Sequence, residues 1–378
     1  MLIPRLLTCA LLLIASGIFA HQPAAQTTAP TLTDFWDGRA RWVVDIADVG
    51  LPVGESDTLA IGEDVYRSYL HASYRSAEVI DQCGQPVEFP GCLTLWQSTD
   101  GGDQFALSTP ICLLPCQACP CDDQRDHITA QQYPRVFRTA DDDYYMVYEW
   151  HAQTILRRST DGIHWSRHWD YLTIPGGVWP RSHADCDPVE DIGAHPNIRG
   201  EGDVCLVGGP PGLYVEGDTL YVFVMAGSAP AHMRCYKGDR HGDLGDLQRC
   251  ATDPLFGGAR EYGDVTLAGA AANPYWDFRY ISSADVLRVG DYYYMAYEGI
   301  RGPSVLEFGR DNQFGLGFAR ARELDSAWEI YDANPIIMDV ADNWGIGHAD
   351  LIVIDGVTYM YTATSQTTRG RYRLVWDD

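Results

Sequence analysis

The sequence predicts an all-β protein made of five similar antiparallel β-sheets, and three observations support this prediction. A short apolar strand, a tight turn of Gly and Asp residues and an aromatic-rich strand follow one another five times along the chain. After these hairpins, further strand pairs end in a polar turn and an aromatic residue. The 3.6-residue spacing of apolar side chains that is typical of helices is nearly absent.

The repeated hairpins carry β-branched and aromatic residues on both sides of each turn, as β-hairpins do. The five copies lie at 56–73, 133–150, 210–227, 283–299 and 348–364. The following strand pairs are clearest at 93–105, 155–165 and 314–328. Four antiparallel strands in each of five units predict a five-bladed β-propeller. A large sandwich, or two stacked β domains, would not explain why the same hairpin returns five times.

The two ends of the chain are expected to meet. We expect one domain over residues 31–378, without an internal linker. The last strand, at 371–376, can pair with an N-terminal strand near 41–46 and so close the ring. Closure would remove exposed sheet edges.

The N-terminus has the three parts of a secretory signal peptide: Arg5, an apolar run and small residues. We expect a signal peptide at 1–20 and a flexible leader at 21–30, which makes the protein secreted, periplasmic or extracellular. An uncleaved anchor is the alternative, but the apolar run is short for spanning a bilayer. No later segment has the length of a membrane helix, so we expect no membrane insertion after cleavage.

The charge balance limits the partners. The chain has 27 Lys and Arg residues against 52 Asp and Glu residues, a formal net charge of −25. Such a protein does not neutralise phosphates, so we expect no nucleic-acid partner and no docking on anionic membranes. We expect a monomer.

The cysteines predict disulfides. The chain has eleven cysteines, and setting aside Cys9 in the signal peptide leaves an even number in an exported protein. The sequence-local pairs that we expect are Cys83–Cys92, Cys186–Cys205 and Cys235–Cys250. The cluster at 112–121 is expected to hold two disulfides. A metal or redox site is its alternative, although its spacing does not match paired zinc knuckles.

Two polar turns, at 98–105 and 159–165, fit the pattern Ser-x-Asp-x-Gly that precedes an aromatic residue, the second in a shortened form. In such Asp-box turns the Ser and Asp side chains bond the backbone while Gly adopts a positive φ. Asp boxes also occur in sialidases, which have six blades. Five repeats therefore favour another class.

The strand at 314–319, Trp328, and the segments NPIIM (334–338) and GHADLIVIDG (347–356) resemble the five-bladed propeller glycoside hydrolases of families 43, 32 and 130 and their bacterial relatives. The resemblance covers all five blades. It implies an active-site funnel at one end of the central axis, lined by the first residues of each inner strand. Family 43 takes a base Asp from blade one, a second Asp from blade two and an acid Glu from blade three. One carboxylate activates water or attacks the sugar, and the other protonates the leaving oxygen.

The resemblance can be carried over position by position. The base position of blade one falls on Glu55, and Asp57 faces the same way two residues on. The acidic position of blade two is Tyr133, and that of blade three is Gly208, so two of the three carboxylates are replaced. His348 falls where family 43 places a central His near a cation or its waters.

These positions define the candidate site. The candidate catalytic residues are Glu55, Asp57, Asp285, Asp350 and Glu201. The candidate substrate-binding residues are Tyr133, Arg135, Ser283 and His348. Clustered carboxylates raise one another's pKa, so that one can stay protonated near neutral pH. The alternative for these acids is to cap strand starts or accept backbone hydrogen bonds.

Three further features complete the prediction. Glu201 lies in an insertion rich in His, Asp and Glu at 181–205, which could supply the missing acid, hold a cation or form a solvated loop. Glu149 and Glu298 lie at the ends of their strands, and we expect them to be structural and away from the funnel. No cofactor is required, and a calcium or sodium ion near His348 is the cation that the resemblance suggests.

Two functions follow as hypotheses. The first is an exported glycoside hydrolase that acts on an oligo- or polysaccharide in a central acidic funnel. The second is a carbohydrate-binding or surface-interaction propeller without catalysis. The acids of blades one, four and five favour hydrolysis, and the missing Glu of blade three favours binding.

Overall fold

The computed structural model describes residues 28–52, 54–71, 92–108, 112–114, 131–150, 153–166, 170–171, 210–226, 231–242, 246–258, 276–277, 280–300, 314–338, 349–365 and 368–377. These residues form a five-bladed β-propeller of antiparallel sheets, as the sequence predicts. Each of the five predicted hairpins is the inner pair of strands in one blade.

The strands follow the order of the blades. Helix α1 (Leu32–Trp36) and strand β1 (Ala40–Ile46) come first. Blade one consists of β2 (Ser56–Gly62), β3 (Val65–His71), β4 (Leu93–Ser98) and β5 (Ala106–Leu107). Blade two consists of β6 (Gln131–Arg138), β7 (Tyr144–Trp150), β8 (Gln153–Ser159) and β9 (Asp170–Tyr171). Blade three consists of β10 (Gly212–Glu216), β11 (Thr219–Ala226), β12 (His232–Asp239), β13 (Gln248–Arg249) and β14 (Phe256–Gly257).

The last two blades complete the chain. Blade four consists of β15 (Tyr280–Val289), β16 (Tyr292–Ile300), β17 (Phe314–Ala321) and β18 (Glu329–Ile330). Blade five consists of β19 (Asp350–Ile354), β20 (Val357–Ala363), β21 (Arg369–Trp376) and the N-terminal β1. The first strand of each blade contacts the first strands of both neighbouring blades, so β2, β6, β10, β15 and β19 form a ring around the axis.

The ring is closed by the two ends of the chain. Strand β1 pairs antiparallel with β21, from Ala40 opposite Trp376 to Ile46 opposite Arg371. The predicted pairing of the last strand with an N-terminal strand is therefore confirmed. Blade five is a composite sheet, and its outermost strand comes from the other end of the chain.

The apolar core of the described residues lies in five clusters, each between two neighbouring blades. Between blades four and five, Phe318 packs with Leu351 and Met360. Helix α1 covers this cluster, and the Phe35 ring lies 5.3 Å from that of Phe318. Each blade thus buries its apolar surface only against its neighbours. None of the helices in the described part of the chain is long and apolar enough to cross a bilayer.

One predicted disulfide is confirmed and one is wrong. Cys235 pairs with Cys250, as expected. Cys92 pairs with Cys112, not with Cys83. The backbone explains this, because the amide of Leu113 donates to the carbonyl of Leu93 at 2.7 Å and places Cys112 beside the start of β4. The predicted pair Cys186–Cys205 and the cysteines at 116–121 lie outside the described residues.

Both Asp-box turns form as predicted. The Ser98 hydroxyl donates to Asp100 at 2.5 Å and accepts from the amide of Gly102 at 3.0 Å. Ser159 and Asp161 repeat this arrangement in blade two. Each turn also contacts the preceding blade, since Tyr361 donates its hydroxyl to the carbonyl of Gly102 at 2.8 Å. The turns therefore join blades as well as strands.

Candidate functional site

The candidate site lies at the end of the propeller where the inner strands begin, which we call the mouth. In an antiparallel hairpin, the first residues of one strand lie beside the last residues of the next. The amide of His71, at the end of β3, donates to the carbonyl of Glu55 at 3.0 Å. In blade four, Ser282 pairs with Glu298. The mouth therefore collects residues from both strands of each inner hairpin.

Arg135 lies across the axis below the mouth. It is only 1% exposed. Its Nη1 donates to Asp350 at 3.1 Å, to Asp57 at 3.4 Å and to the carbonyl of Ser56 at 3.3 Å. Its Nη2 donates to the carbonyl of Ser283 at 2.9 Å. One side chain of blade two thus bonds to blades one, four and five.

Asp350 forms ion pairs with both Arg135 and Arg369. It is fully buried, and Oδ1 accepts from Arg135 and Arg369, both at 3.1 Å. Oδ2 accepts from the hydroxyls of Ser56 at 2.7 Å and Thr58 at 3.1 Å. Both oxygens of the carboxylate are occupied, so this group holds the centre of the propeller together.

Asp57 and Asp285 have equivalent roles in blades one and four. Each accepts a hydrogen bond from a backbone amide on the inner strand of the next blade, from Val136 and Leu351 respectively. Burial raises the pKa of Asp57 well above its ordinary value, against the lowering effect of Arg135, and the charges of Asp285 and Asp350 add to the rise. Burial likewise raises the pKa of Asp285 to about 6. The carboxyl groups of Asp57 and Asp285 therefore resist ionisation.

The described residues do not fit a cation at the centre. The guanidinium of Arg135 bonds to both Asp57 and Asp350, the acids that would otherwise face a cation there. Among the residues that the structure describes, no group of three or more His, Cys, Asp or Glu side chains is arranged to hold a metal ion. The predicted cation near His348 stays a prediction, because residue 348 lies outside this part of the chain.

Glu55 lies at the mouth and is paired with His71. Its carboxylate lies 2.9 Å from Nδ1 of His71, and the Glu55 side chain is 22% exposed. Burial opposes its ionisation, but the hydrogen bond and charge of His71 outweigh it and lower the pKa of Glu55. The ring of Tyr133 lies 6.4 Å from the ring of His71 and is partly exposed. Glu55 is therefore an ionised carboxylate, and its partner His71 lies next to an aromatic ring.

Glu149 and Glu298 were expected to lie away from the funnel, and this expectation is wrong: each pairs with a residue at the start of its inner strand, Gln132 and Ser282 respectively. Antiparallel pairing puts the end of β16 at the mouth, where the Ser283 hydroxyl donates to Glu298 at 2.7 Å. Burial raises the pKa of Glu298 to about 7, and the charge of Glu55 adds to the rise, whereas Ser283, Arg135 and Arg369 oppose it. The signal that could have found it is the hairpin register, counted outward from the turn to both strand ends.

Two β-bulges shape the mouth. The register of blade two shifts between Gln132 and Arg135, and that of blade four shifts between Ser282 and Asp285. Tyr133 and Ser283, inside these bulges, have φ of 54° and 57°. Positive φ is uncommon for residues other than glycine, and bulges next to active sites re-aim side chains. No local sequence pattern marks either bulge.

The structure brings most of the predicted residues together. Around the axis at or just below the mouth lie Glu55, Asp57, Tyr133, Arg135, Ser283, Asp285 and Asp350. Glu201 and His348 lie outside the described residues. The roles assigned to these residues in catalysis or binding stay predictions.

Comparison with known proteins supports the fold. No family model matches the sequence, and no curated protein matches it. The structure is similar to an endo-1,4-beta-xylanase from Bacteroides thetaiotaomicron VPI-5482, with a TM-score of 0.50 and 13% identity over 89% of this chain and 97% of that one.

Two further structures are similar at the same TM-score of 0.50: a xylan beta-1,4-xylosidase from Bacillus halodurans C-125 at 13% identity, and a GH43 protein from Bacillus licheniformis at 11% identity. Each match covers 89% of this chain and 55% of the other. The chain therefore has a glycoside hydrolase-like propeller fold, and the resemblance drawn from its sequence is confirmed at the level of fold.

Proposed function

We propose that this protein is an exported glycoside hydrolase that cleaves an oligo- or polysaccharide at the mouth of the propeller. The observation that carries this proposal is that two carboxyl groups at the mouth, those of Glu55 and Glu298, have pKa values shifted in opposite directions. Glu55 is partly exposed and has a lowered pKa beside His71, whereas buried carboxylates close to it have raised pKa values. Environments that drive two carboxyl pKa values apart suit one group to act as base and another as acid.

We assign distinct tasks to the layers of the site. Glu55 is the base, or the nucleophile, and Tyr133 offers a ring against which a sugar can pack. Asp57, Asp285 and Asp350, which bond to Arg135 or to backbone amides, hold the inner strands in place below the substrate. The signal-like N-terminus supports export.

A carbohydrate-binding propeller without catalysis is the second candidate. The observation that favours it is the occupied state of the predicted acids, because Asp350 uses both oxygens within the protein and Asp57 and Asp285 bond to neighbouring blades. A binding protein needs the aromatic ring and hydrogen-bonding groups of the mouth, but no protonated acid.

The two functions are separated by screening the purified mature protein. We expect turnover of at least one substrate in a panel of aryl glycosides and oligosaccharides, and a loss of about 100-fold or more in kcat/KM in the E55Q variant. The matched control is E63Q, an exposed Glu at the opposite end of the same hairpin. Saturable glycan binding without any turnover would reject the hydrolase and support the binding propeller.

A further inference from the structure

We propose that Glu298, on the second strand of blade four, is the proton donor to the leaving oxygen, in the place that a blade-three acid would otherwise take. This inference rests on the proposed hydrolytic function. It assigns the acid to a strand and a blade that the sequence resemblance does not indicate.

The fold brings Glu298 to the mouth. Side chains alternate along β16, and Tyr297 packs into the core between blades three and four. Glu298 therefore points to the other face of the strand, where Ser283 of the neighbouring β15 reaches its carboxyl group. The residue is 5% exposed, so it is shielded from bulk water.

The bulge of β15 holds the partner of Glu298 in place. The amide of Ser283 donates to the carbonyl of Pro210 at 3.0 Å, and its carbonyl accepts from Arg135 at 2.9 Å. The left-handed φ of 57° turns the Ser283 hydroxyl toward Glu298. Unusual backbone conformations of non-glycine residues cost free energy and cluster at functional sites.

The charged groups around Glu298 suit a proton donor that faces an ionised base. Glu55 on blade one disfavours its ionisation, whereas Arg135 on blade two and Arg369 on blade five favour it. Burial dominates and raises the pKa of Glu298 to about 7. An acid near the operating pH both keeps its proton and gives it up readily.

The proposed step is balanced. The bond between the anomeric carbon and the glycosidic oxygen breaks, and the proton of Glu298 moves to that oxygen. Over the whole reaction one water is consumed: its oxygen bonds to the anomeric carbon, and one of its protons restores Glu298. With Glu55 as the base of an inverting reaction, Glu55 takes that proton and solvent returns it to Glu298. With Glu55 as the nucleophile of a retaining reaction, the water releases Glu55 from the sugar and gives its proton directly to the ionised Glu298.

The test compares leaving groups. We expect E298Q to lose about 100-fold or more in kcat/KM on glycosides with poor leaving groups, yet to keep near wild-type rates on dinitrophenyl glycosides, which need no protonation. Glu149 provides the matched control, because it is buried and pairs with Gln132 as Glu298 pairs with Ser282. We expect E149Q to keep the wild-type dependence on the leaving group.

A pH profile provides the second readout. Glu298 loses its proton as the pH rises through its pKa, so wild-type kcat/KM should fall above about pH 7. The Ser283 hydroxyl stabilises the ionised form, and S283A should therefore move this fall to higher pH. If Ser283 were only structural, S283A would lower the activity without shifting the pH at which kcat/KM falls.

The outcomes are distinguishable. An equal loss on both kinds of leaving group in a folded E298Q protein, or a leaving-group effect that appears in E201Q or E149Q instead, would overturn this inference alone. Lack of turnover by the wild-type protein would overturn the proposed function and this inference with it. The inference is supported if E298Q loses kcat/KM only on glycosides with poor leaving groups and S283A moves the fall of kcat/KM to higher pH.

Discussion

At the scale of the residue, Arg135 shows how a charge is tolerated on the axis of the propeller. A buried ion is costly unless it is paired and hydrogen-bonded. Here the guanidinium bonds to two carboxylates and two backbone carbonyls, and Arg369 shares Asp350 with it. The arginine thereby connects inner strands that are far apart in the sequence.

The raised pKa of Glu298 also predicts how the stability of the protein depends on pH, independently of its activity. Its pKa rises from an ordinary 4.5 to about 7 in the folded protein, so between these values the folded state binds more protons than the unfolded state. The free energy of unfolding therefore decreases as the pH rises through this window. We expect E298Q to gain stability relative to wild type over this range, by up to about 3 kcal/mol, and to show a constant difference outside it.

Urea denaturation of both proteins at a series of pH values measures this difference. The exposed E63Q variant should track the wild-type protein at every pH. A difference between E298Q and wild type that does not change with pH would show that burial leaves the carboxyl group of Glu298 unperturbed.

At the scale of the element, the Asp-box turns connect neighbouring blades and depend on glycine. Gly102 has a φ of 81°, and a Cβ atom there would clash with the hydroxyl oxygen of Tyr361. Gly356, in the hairpin turn of blade five, has a similar φ of 78° but no atom within 4 Å of that position. Comparing alanine substitutions at Gly102 and Gly356 therefore separates the cost of a left-handed backbone from the cost of a clash with Tyr361.

We expect G356A to lose about 1–2 kcal/mol of stability, the cost of a left-handed alanine. G102A should lose about 1–3 kcal/mol more, because Tyr361 must move and its hydrogen bond to the Gly102 carbonyl is broken. Urea denaturation of the two variants gives the comparison. Equal losses of stability in the two variants would mean that a side chain at position 102 does not displace Tyr361.

At the scale of the whole molecule, the ring depends on its closure in blade five. Strand β1 pairs with β21, and Phe35 and Ala40 belong to the cluster between blades four and five. We expect a chain that lacks residues 28–46 to lose cooperative unfolding and to aggregate, since it exposes both an unpaired strand edge and apolar surface. A chain that begins at residue 28 is the control.

Thermal unfolding followed by circular dichroism, with light scattering for aggregation, compares the two chains. The same midpoint and the same solubility in both would show that four blades and an incomplete fifth are sufficient for a stable propeller.

The sequence by itself determined the blades of this protein. Strand alternation, Gly and Asp turns and Asp boxes act between residues close together in the chain, so all five hairpins and both polar turns are visible before folding. The positions of Glu55 and Asp57 came from carrying the family resemblance over to the blade-one hairpin, whose bounds are also local in the sequence.

Only the tertiary structure decided how these parts meet. The pairing of Cys92 with Cys112, the path of Arg135 across the axis and the arrival of Glu298 at the mouth depend on strand register and on bulges that no local pattern marks. The physical reason is that side chains from different blades share one small, dry volume. Their bonds and pKa values are therefore set by neighbours that the chain brings together only when the ring closes.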